Sequence, residues 1–471
     1  MMGAGLASRM RWSILCGVAL MAIALGWVAT ASAATSDRIL MHRNGLRGVS
    51  YQQLSVAGAP ASSAQLSATK IRQFSLDGDG QTNVRANMYP IQVNGGWGFV
   101  HFNGYRIMRV FDSSGRKLWQ ITNPSGRVHR SWSHRDTLAI MGSSIVHCWL
   151  SNGQRILVKR DGRTGAVIKT AVIPGGTSSS ECQIAAFNLA DIGQPLIFVA
   201  TKSATAKCKQ NYEDTWSGTI AYDQNLNLKW RRDTCDAGHY VWAPEPTGTA
   251  VYNVMVGKYY VNSQGQILCT LGGWGVDHVD SMSIGDADPS ISGFESIAVG
   301  ASGTRMYNLW QPSGKRCTPL WSKGNDTFYH AQYVFFAKLQ AGKSGLNIAI
   351  REEPSQDAGT HYLYFTDYKG NKINTIRGTH YSIIPMQNTN LDGARGTDEL
   401  SGAYGEVIDI SGKLRLSRSW YWGLQSLTAS ERTLIPPDQW TARPIWFDMD
   451  SDGREELITW GRNMVVIGKI H

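Results

Sequence analysis

Five histidines stand at matching places in this chain, each at the head of an apolar stretch. His278 in "GVDHVDSMSIGDADP" is followed two residues on by Asp280, His134 in "SHRD" by Asp136, and His330 in "YHAQ" by Gln332, while His239 in "GHYV" and His380 in "THYS" complete the set. Imidazole moves protons near neutral pH and ligates metals. A mixed imidazole and carboxylate set holds a divalent ion, with nitrogen favouring transition metals and oxygen favouring calcium. His278, Asp280, His330 and His380 are the candidate metal ligands, calcium being favoured and zinc the alternative. Any one of these histidines is as readily a polar residue finishing a strand; five in one position carry more weight together.

His147 departs from the pattern. It falls at the end of the second strand of "SHRDTLAIMGSSIVHCW", where other units place an apolar or small residue. The short "MGSS" turn is expected to bring it back beside His134, giving two imidazoles on adjacent strands suited to acid/base work.

Whether such residues meet depends on the elements that carry them. Two kinds of hairpin alternate along the chain. The first joins two apolar strands through a polar turn, as in "IGDADPSISGFESIAVG", "NTNLDGARGTDELSGAYG" and "FDMDSDGREELITWG". The second, whose fullest form is an aromatic or apolar residue, Asp, two residues and Gly, recurs as "FDSSGRKLW", "RDGRTGAVI", "YDQNLNLKW", "VNSQGQILC", "WQPSGKRC", "TDYKGNKI" and "IDISGKLRL". Glycine supplies the positive φ that a hairpin with a bulge requires. Spaced roughly 40 to 60 residues apart, these turns describe consecutive four-stranded units, an all-β fold that closes as a β-propeller. Seven blades are favoured and eight are the alternative, the C-terminal hairpin completing its blade with N-terminal chain. In such a ring the inner strands start at one rim, so the five histidines converge on the channel mouth.

The acidic turns admit two readings. Asp448, Asp450 and Asp452, followed by Gly453 and Glu456, alternate like calcium-loop ligands. Asp-rich turns also cap their own backbone, which is the plainer reading.

Residues 1–33 read as a secretory signal: Arg9 and Arg11, an apolar run from Trp12 to Val28, then Ala31-Ser32-Ala33. The domain is then 34–471, a single propeller, secreted or periplasmic and monomeric. Six of the seven cysteines lie beyond the signal, and an even number in an oxidising compartment favours disulfides. Cys208 with Cys235 is the first pairing to test. The formal charge of +10 becomes about +8 without the signal arginines and favours an anionic partner. Lys and Arg are dispersed, which speaks against nucleic acid; no later segment is long enough to cross a bilayer, and export points to an acidic glycan.

At "HRDTLAI", "HCW", "AGHYVWA" and "DHVDSMSIGDADP" the chain resembles the β-propeller polysaccharide lyases of the ulvan lyase, rhamnose–glucuronate type, and the last of these also resembles a rhamnogalacturonan lyase unit. The resemblance implies cleavage of a uronate polymer by β-elimination, with His134 and His147 as the functional pair. A tyrosine and an arginine from the next blade would assist. Tyr212, Tyr222 and Tyr240 compete for the first role, Arg231 and Arg232 for the second; His239, Tyr240 and Arg231 join the candidate catalytic set. A glycoside hydrolase on the same propeller ranks second, because Glu181, Glu245 and Asp136 show no paired-carboxylate pattern. A non-catalytic glycan-binding propeller is the rival from another class.

Overall fold

Residues 40–471 form one compact unit. Within it the computed structural model describes residues 68–75, 86–103, 107–122, 138–177, 181–202, 218–232, 241–242, 253–274, 279–300, 303–309, 316–324, 327–328, 331–352, 360–379, 385–389, 399–402, 407–411, 414–416, 445–447, 449, 456–460 and 464–470. All the secondary structure among them is β-strand. The strands make eight four-stranded sheets, each antiparallel between neighbours. Blade 1 spans 86–122, blade 2 138–177, blade 3 181–232, blade 4 241–270, blade 5 281–323, blade 6 331–379 and blade 7 385–416. Blade 8 joins Ile445–Phe447, Glu456–Trp460 and Met464–Ile470 to the N-terminal strand Ala68–Ser75, which pairs with the last of them.

The fold is thus the expected propeller, closed by both ends of the chain, and the sheet count is the larger of the two alternatives: eight blades, not the favoured seven. Seven second-type turns could be read because blade 8 has none: its third and fourth strands come from opposite ends of the chain. First strands of successive blades touch from blade 1 through blade 7, and that of blade 8 touches blade 1. Ile458, Val465 and Ile467 of blade 8 share an apolar cluster with Met88 and Tyr89 of blade 1 and Leu138 and Ile140 of blade 2.

Burial explains the sequence pattern of the strands. Inner strands lie between neighbouring blades and are covered on both faces, so Glu295–Gly300 is buried throughout. Such strands read as short apolar runs. Outer strands such as Lys117–Thr122 mix exposed and half-buried residues. Polar residues on inner strands have neighbours to serve: the hydroxyls of Ser281 and Ser283 in blade 5 accept the backbone N–H of Val334 (3.2 Å) and Phe336 (3.0 Å) in blade 6.

The second-type turns hold one blade to the next. Those of blades 1 to 4, 6 and 7 are closed by their own Asp or Asn, as when Asp112 Oδ1 accepts the N–H of Ser114 and Arg116, and Asp367 Oδ1 those of Lys369 and Asn371. Onto the turn comes a residue from the outermost strand of the preceding blade. Trp119 donates its indole N–H to Gly162 O (2.7 Å), Trp230 to Ser263 O (2.8 Å) and Trp321 to Tyr368 O (2.9 Å). The rings then lie against Gly165, Gly265 and Gly370, all at positive φ. At the corresponding places Asn374 donates to Ile410 O of blade 7 (3.0 Å) and Lys169 to Asn227 of blade 3 (2.7 Å). Blade 3 carries Leu226 at the positive-φ place (φ 57) instead of glycine. No indole lies over that turn, so a side chain fits. In blade 4 the position is Cys269, which forms a disulfide with Cys317 of blade 5.

Candidate functional site

Blade 2 is the best-described part of the expected site. Its strand Ser144–Ser151 pairs with Leu138–Met141 on one side and Gln154–Asp161 on the other. Side chains alternate across a sheet, so Ile145, His147 and Trp149 share a face with their cross-strand partners Arg160, Val158 and Ile156. Ile145 belongs to the apolar cluster that joins blades 1 and 2, which turns this face towards blade 1.

His147 is fully buried, at 0% exposure. Its Nε2 accepts a hydrogen bond from Arg160 Nε at 3.1 Å. A guanidinium only donates, so the ring proton sits on Nδ1, which donates to Cys148 O at 3.3 Å. Desolvation by burial, aided by the Arg160 charge, drops the His147 pKa from 6.5 to about 3. This is a neutral imidazole with both nitrogens engaged, set edge-on to Trp149 with ring centroids 5.0 Å apart. The register places Leu138 opposite it; His134 lies outside the described residues. The "MGSS" segment does turn the chain between two paired strands, and the His147 ring points into protein where an accessible acid/base was expected.

Arg160 is the residue that sequence reading passed over. The run "QRILVKRD" has a period-2 signal, since Ile156, Val158 and Arg160 alternate onto one face, and a cation at an inward-facing place asks for a partner. Arg160 Nη1 donates to Gly165 O at 2.9 Å, and its guanidinium carbon stands 5.9 Å from the Trp149 ring centroid. No carboxylate pairs with it among the described residues, and burial lowers its pKa without an opposing charge. A related arrangement occurs in blade 1, where His101 and Arg109 are cross-strand partners and burial, then Arg109, takes His101 to about 3. There Arg109 is spent on Gln120 (3.0 Å).

Of the remaining candidates, His239, Tyr240, His278, His330 and His380 lie outside the described residues, as do Cys208, Cys235 and Tyr212. Asp280 is buried and directly precedes the first strand of blade 5, its N–H donating to Val299 O at 2.9 Å. Among the described residues no group of three His, Cys, Asp or Glu gathers that could hold a metal. Arg231 is exposed on the outermost strand of blade 3, and Arg232 donates to Gly265 O in the next blade. The Tyr222 hydroxyl donates to Val172 O (3.2 Å), and burial pushes its pKa up to about 12. Tyr222 and Arg232 thus serve blade-to-blade contacts.

The acidic turn of blade 5 supports the plainer reading. Glu295, fully buried, accepts the N–H of Ala287 (2.9 Å) and Asp288 (3.1 Å) and the Asn308 amide (2.9 Å), closing its own loop. In blade 8, Glu456 likewise accepts the N–H of Met449 at 2.7 Å; Asp448, Asp450 and Asp452 lie outside the described residues. Besides Cys269 and Cys317, Cys148 is disulfide-bonded, as the even cysteine count led one to expect.

No protein-family model and no curated protein matches the sequence. Solved structures do match in fold. A rhamnogalacturonan lyase, YesW, aligns with a TM-score of 0.50 at 15% identity over 88% of this chain and 74% of its own. The quinohemoprotein alcohol dehydrogenase ADHIIG of Pseudomonas putida aligns with a TM-score of 0.52 at 12% identity over 93% and 81%. BamB of Moraxella catarrhalis reaches 0.48 at 14% identity over 86% and 100%. At such identities the first two speak for the propeller fold alone, a scaffold shared by unrelated activities.

Proposed function

We propose that this chain is an exported polysaccharide lyase that acts on a uronate-containing acidic glycan of the rhamnose–glucuronate type. The observation that supports it is the His147–Arg160 pair: a neutral imidazole held against a guanidinium that no carboxylate among the described residues neutralises, in the blade whose "HRDTLAI" and "HCW" motifs carry the lyase resemblance.

β-Elimination breaks the C5–H and C4–O4 bonds of a uronate and forms a C4–C5 double bond. The C5 proton goes to a base, and O4 leaves with a proton. The C5–H is too weakly acidic until the neighbouring carboxylate is neutralised, so a fixed cation must stabilise the enolate-like transition state, as donors do in an oxyanion hole. Arg160 is that cation. His147 Nε2 holds that guanidinium in place, so His147 serves the substrate carboxylate through Arg160 and the proton passes to another group. His134, with His239 and Tyr240, completes the proposed acid/base set, and Arg231 is the assisting cation of the same proposal. A divalent ion, calcium foremost and zinc as the alternative, at His278, Asp280, His330 and His380 belongs to the same proposal.

A second reading is a propeller that binds the acidic glycan without cutting it. The complete burial of His147 favours it, since a base must reach its proton. The test is ultraviolet absorbance of unsaturated uronate after mixing the protein with ulvan, gum arabic or rhamnogalacturonan. A rise on any of them supports the lyase; no rise, with binding retained, leaves the second reading standing.

A further inference from the structure

Blade 2 carries a concave pocket of about 440 Å³ that, apart from Arg160, none of the candidate site residues lines. Trp149, Ile156, Val158 and Arg160 line it, together with the polar Ser151, Asn152 and Thr170. Arg160 uses Nε on His147 and Nη1 on Gly165 O. Nη2 has no protein partner among the described residues. The guanidinium is thus fixed on two sides and offers its third nitrogen to a half-buried cavity that has no opposing charge among the described residues lining it. Taking a cation partly out of water costs free energy unless an anion compensates, and an arginine pre-set by protein bonds is suited to hold a carboxylate or sulfate oxygen.

The rest of the lining narrows the ligand. An indole beside aliphatic side chains suits the C–H face of a pyranose ring, and hydroxyl and amide groups in the lining suit its hydroxyls. The volume lies within the range of small-ligand sites. The geometry points to a binding subsite for one anionic sugar unit, with Arg160 holding the acidic group and Trp149 supporting the ring. His147 is a positioning residue here: its Nε2 fixes the guanidinium from behind. The subsite deepens the acidic-glycan reading but needs no bond to be broken.

The experiment uses the exported chain and follows Trp fluorescence and calorimetry. The probes are a glucuronate–rhamnose oligosaccharide and an oligogalacturonate for the carboxylate arm, a sulfated dextran oligosaccharide for the sulfate arm, and a maltooligosaccharide as neutral control. At least one acidic probe binds at least about tenfold more tightly than the control, in keeping with a charge-assisted contact, and Arg160→Gln removes that preference. Because Arg160→Gln disturbs His147, a second variant acts from solvent: Val167 at the pocket edge is 51% exposed, and Val167→Glu weakens acidic probes about as much while melting like the parent protein. Equal binding of acidic and neutral probes, no binding of any probe, or parental binding by Val167→Glu overturns the subsite. Binding that obeys these rules without unsaturated product retains the subsite and removes the lyase.

Discussion

Cys269 in the outermost strand of blade 4 is joined to Cys317 of blade 5, with Cα atoms 5.9 Å apart, at the place where blades 1, 3 and 5 send Trp119, Trp230 and Trp321 onto the next blade. One position therefore fastens neighbouring blades by an indole or by a covalent bond. The indole contributes a hydrogen bond and an apolar face in the folded state. The disulfide adds a restraint on the unfolded chain.

Removing that restraint is expected to weaken the ring at one seam. The enclosed loop spans a sequence separation of 48 residues, for which chain entropy alone gives about 4 kcal/mol. Thermal melting of the Cys269→Ser, Cys317→Ser double variant checks this, and an unchanged midpoint would show that the seam is held by other contacts.

Two glycines separate backbone strain from the tryptophan contact. Gly95 (φ +76) faces open space, whereas a β-carbon on Gly265 (φ +74) would sit 2.5 Å from the Trp230 ring. Gly95→Ala should cost about 1 kcal/mol or slightly more for a left-handed residue. Gly265→Ala should add about 1–3 kcal/mol of overpacking. Equal losses in urea denaturation would dismiss the docking contact as a determinant of stability.

His147 makes stability depend on pH in a definite direction. Its folded pKa of about 3 lies below the ordinary 6.5, so the unfolded chain binds the proton first. The contribution is complete above pH 6.5 and is lost as pH falls from there towards 3. Imidazole NMR signals should show a ring that stays neutral through pH 5. A midpoint near 6.5 would refute the buried, Arg160-bound state.

His134 and His147 are expected to respond differently to alanine. His134→Ala should reduce the formation of unsaturated uronate by about 10²-fold or more if it moves a proton, with little change in melting. His147→Ala should first lower stability, by about 1–3 kcal/mol, because it leaves the Arg160 Nε–H unpaired in a buried place. Parental melting and parental rate in His147→Ala would take the pair out of the mechanism.

The proposed ion is tested by metal analysis of the purified protein. One divalent ion per chain, lost in Asp280→Asn, is the expected outcome. A metal-free protein whose behaviour is indifferent to chelator would remove the ion from the proposal.

The repeat was legible in the sequence because its causes are local. Asp112, Asp161, Asp223 and Asp367 close their own turns within a few residues, and Gly115, Gly165 and Gly370 supply positive φ inside them, so each hairpin announces itself. Buried inner strands, too, read as apolar runs whatever surrounds them. Tertiary structure decided what pairing across long separations controls. The eighth sheet gains its fourth strand only because Ala68–Ser75 meets Met464–Ile470. Leu226 is tolerated at a glycine's place because the preceding blade brings Lys169, not an indole, onto that turn. The histidine in "VHCW" looked chemically available because sequence cannot show which way its face turns; the register sets it opposite Leu138 and Val158, under Arg160, and burial then fixes its charge. Its named partners all stand within 13 residues of it, but which of them face it, and how much water they exclude, follows from the strand register and the packing of the folded sheet.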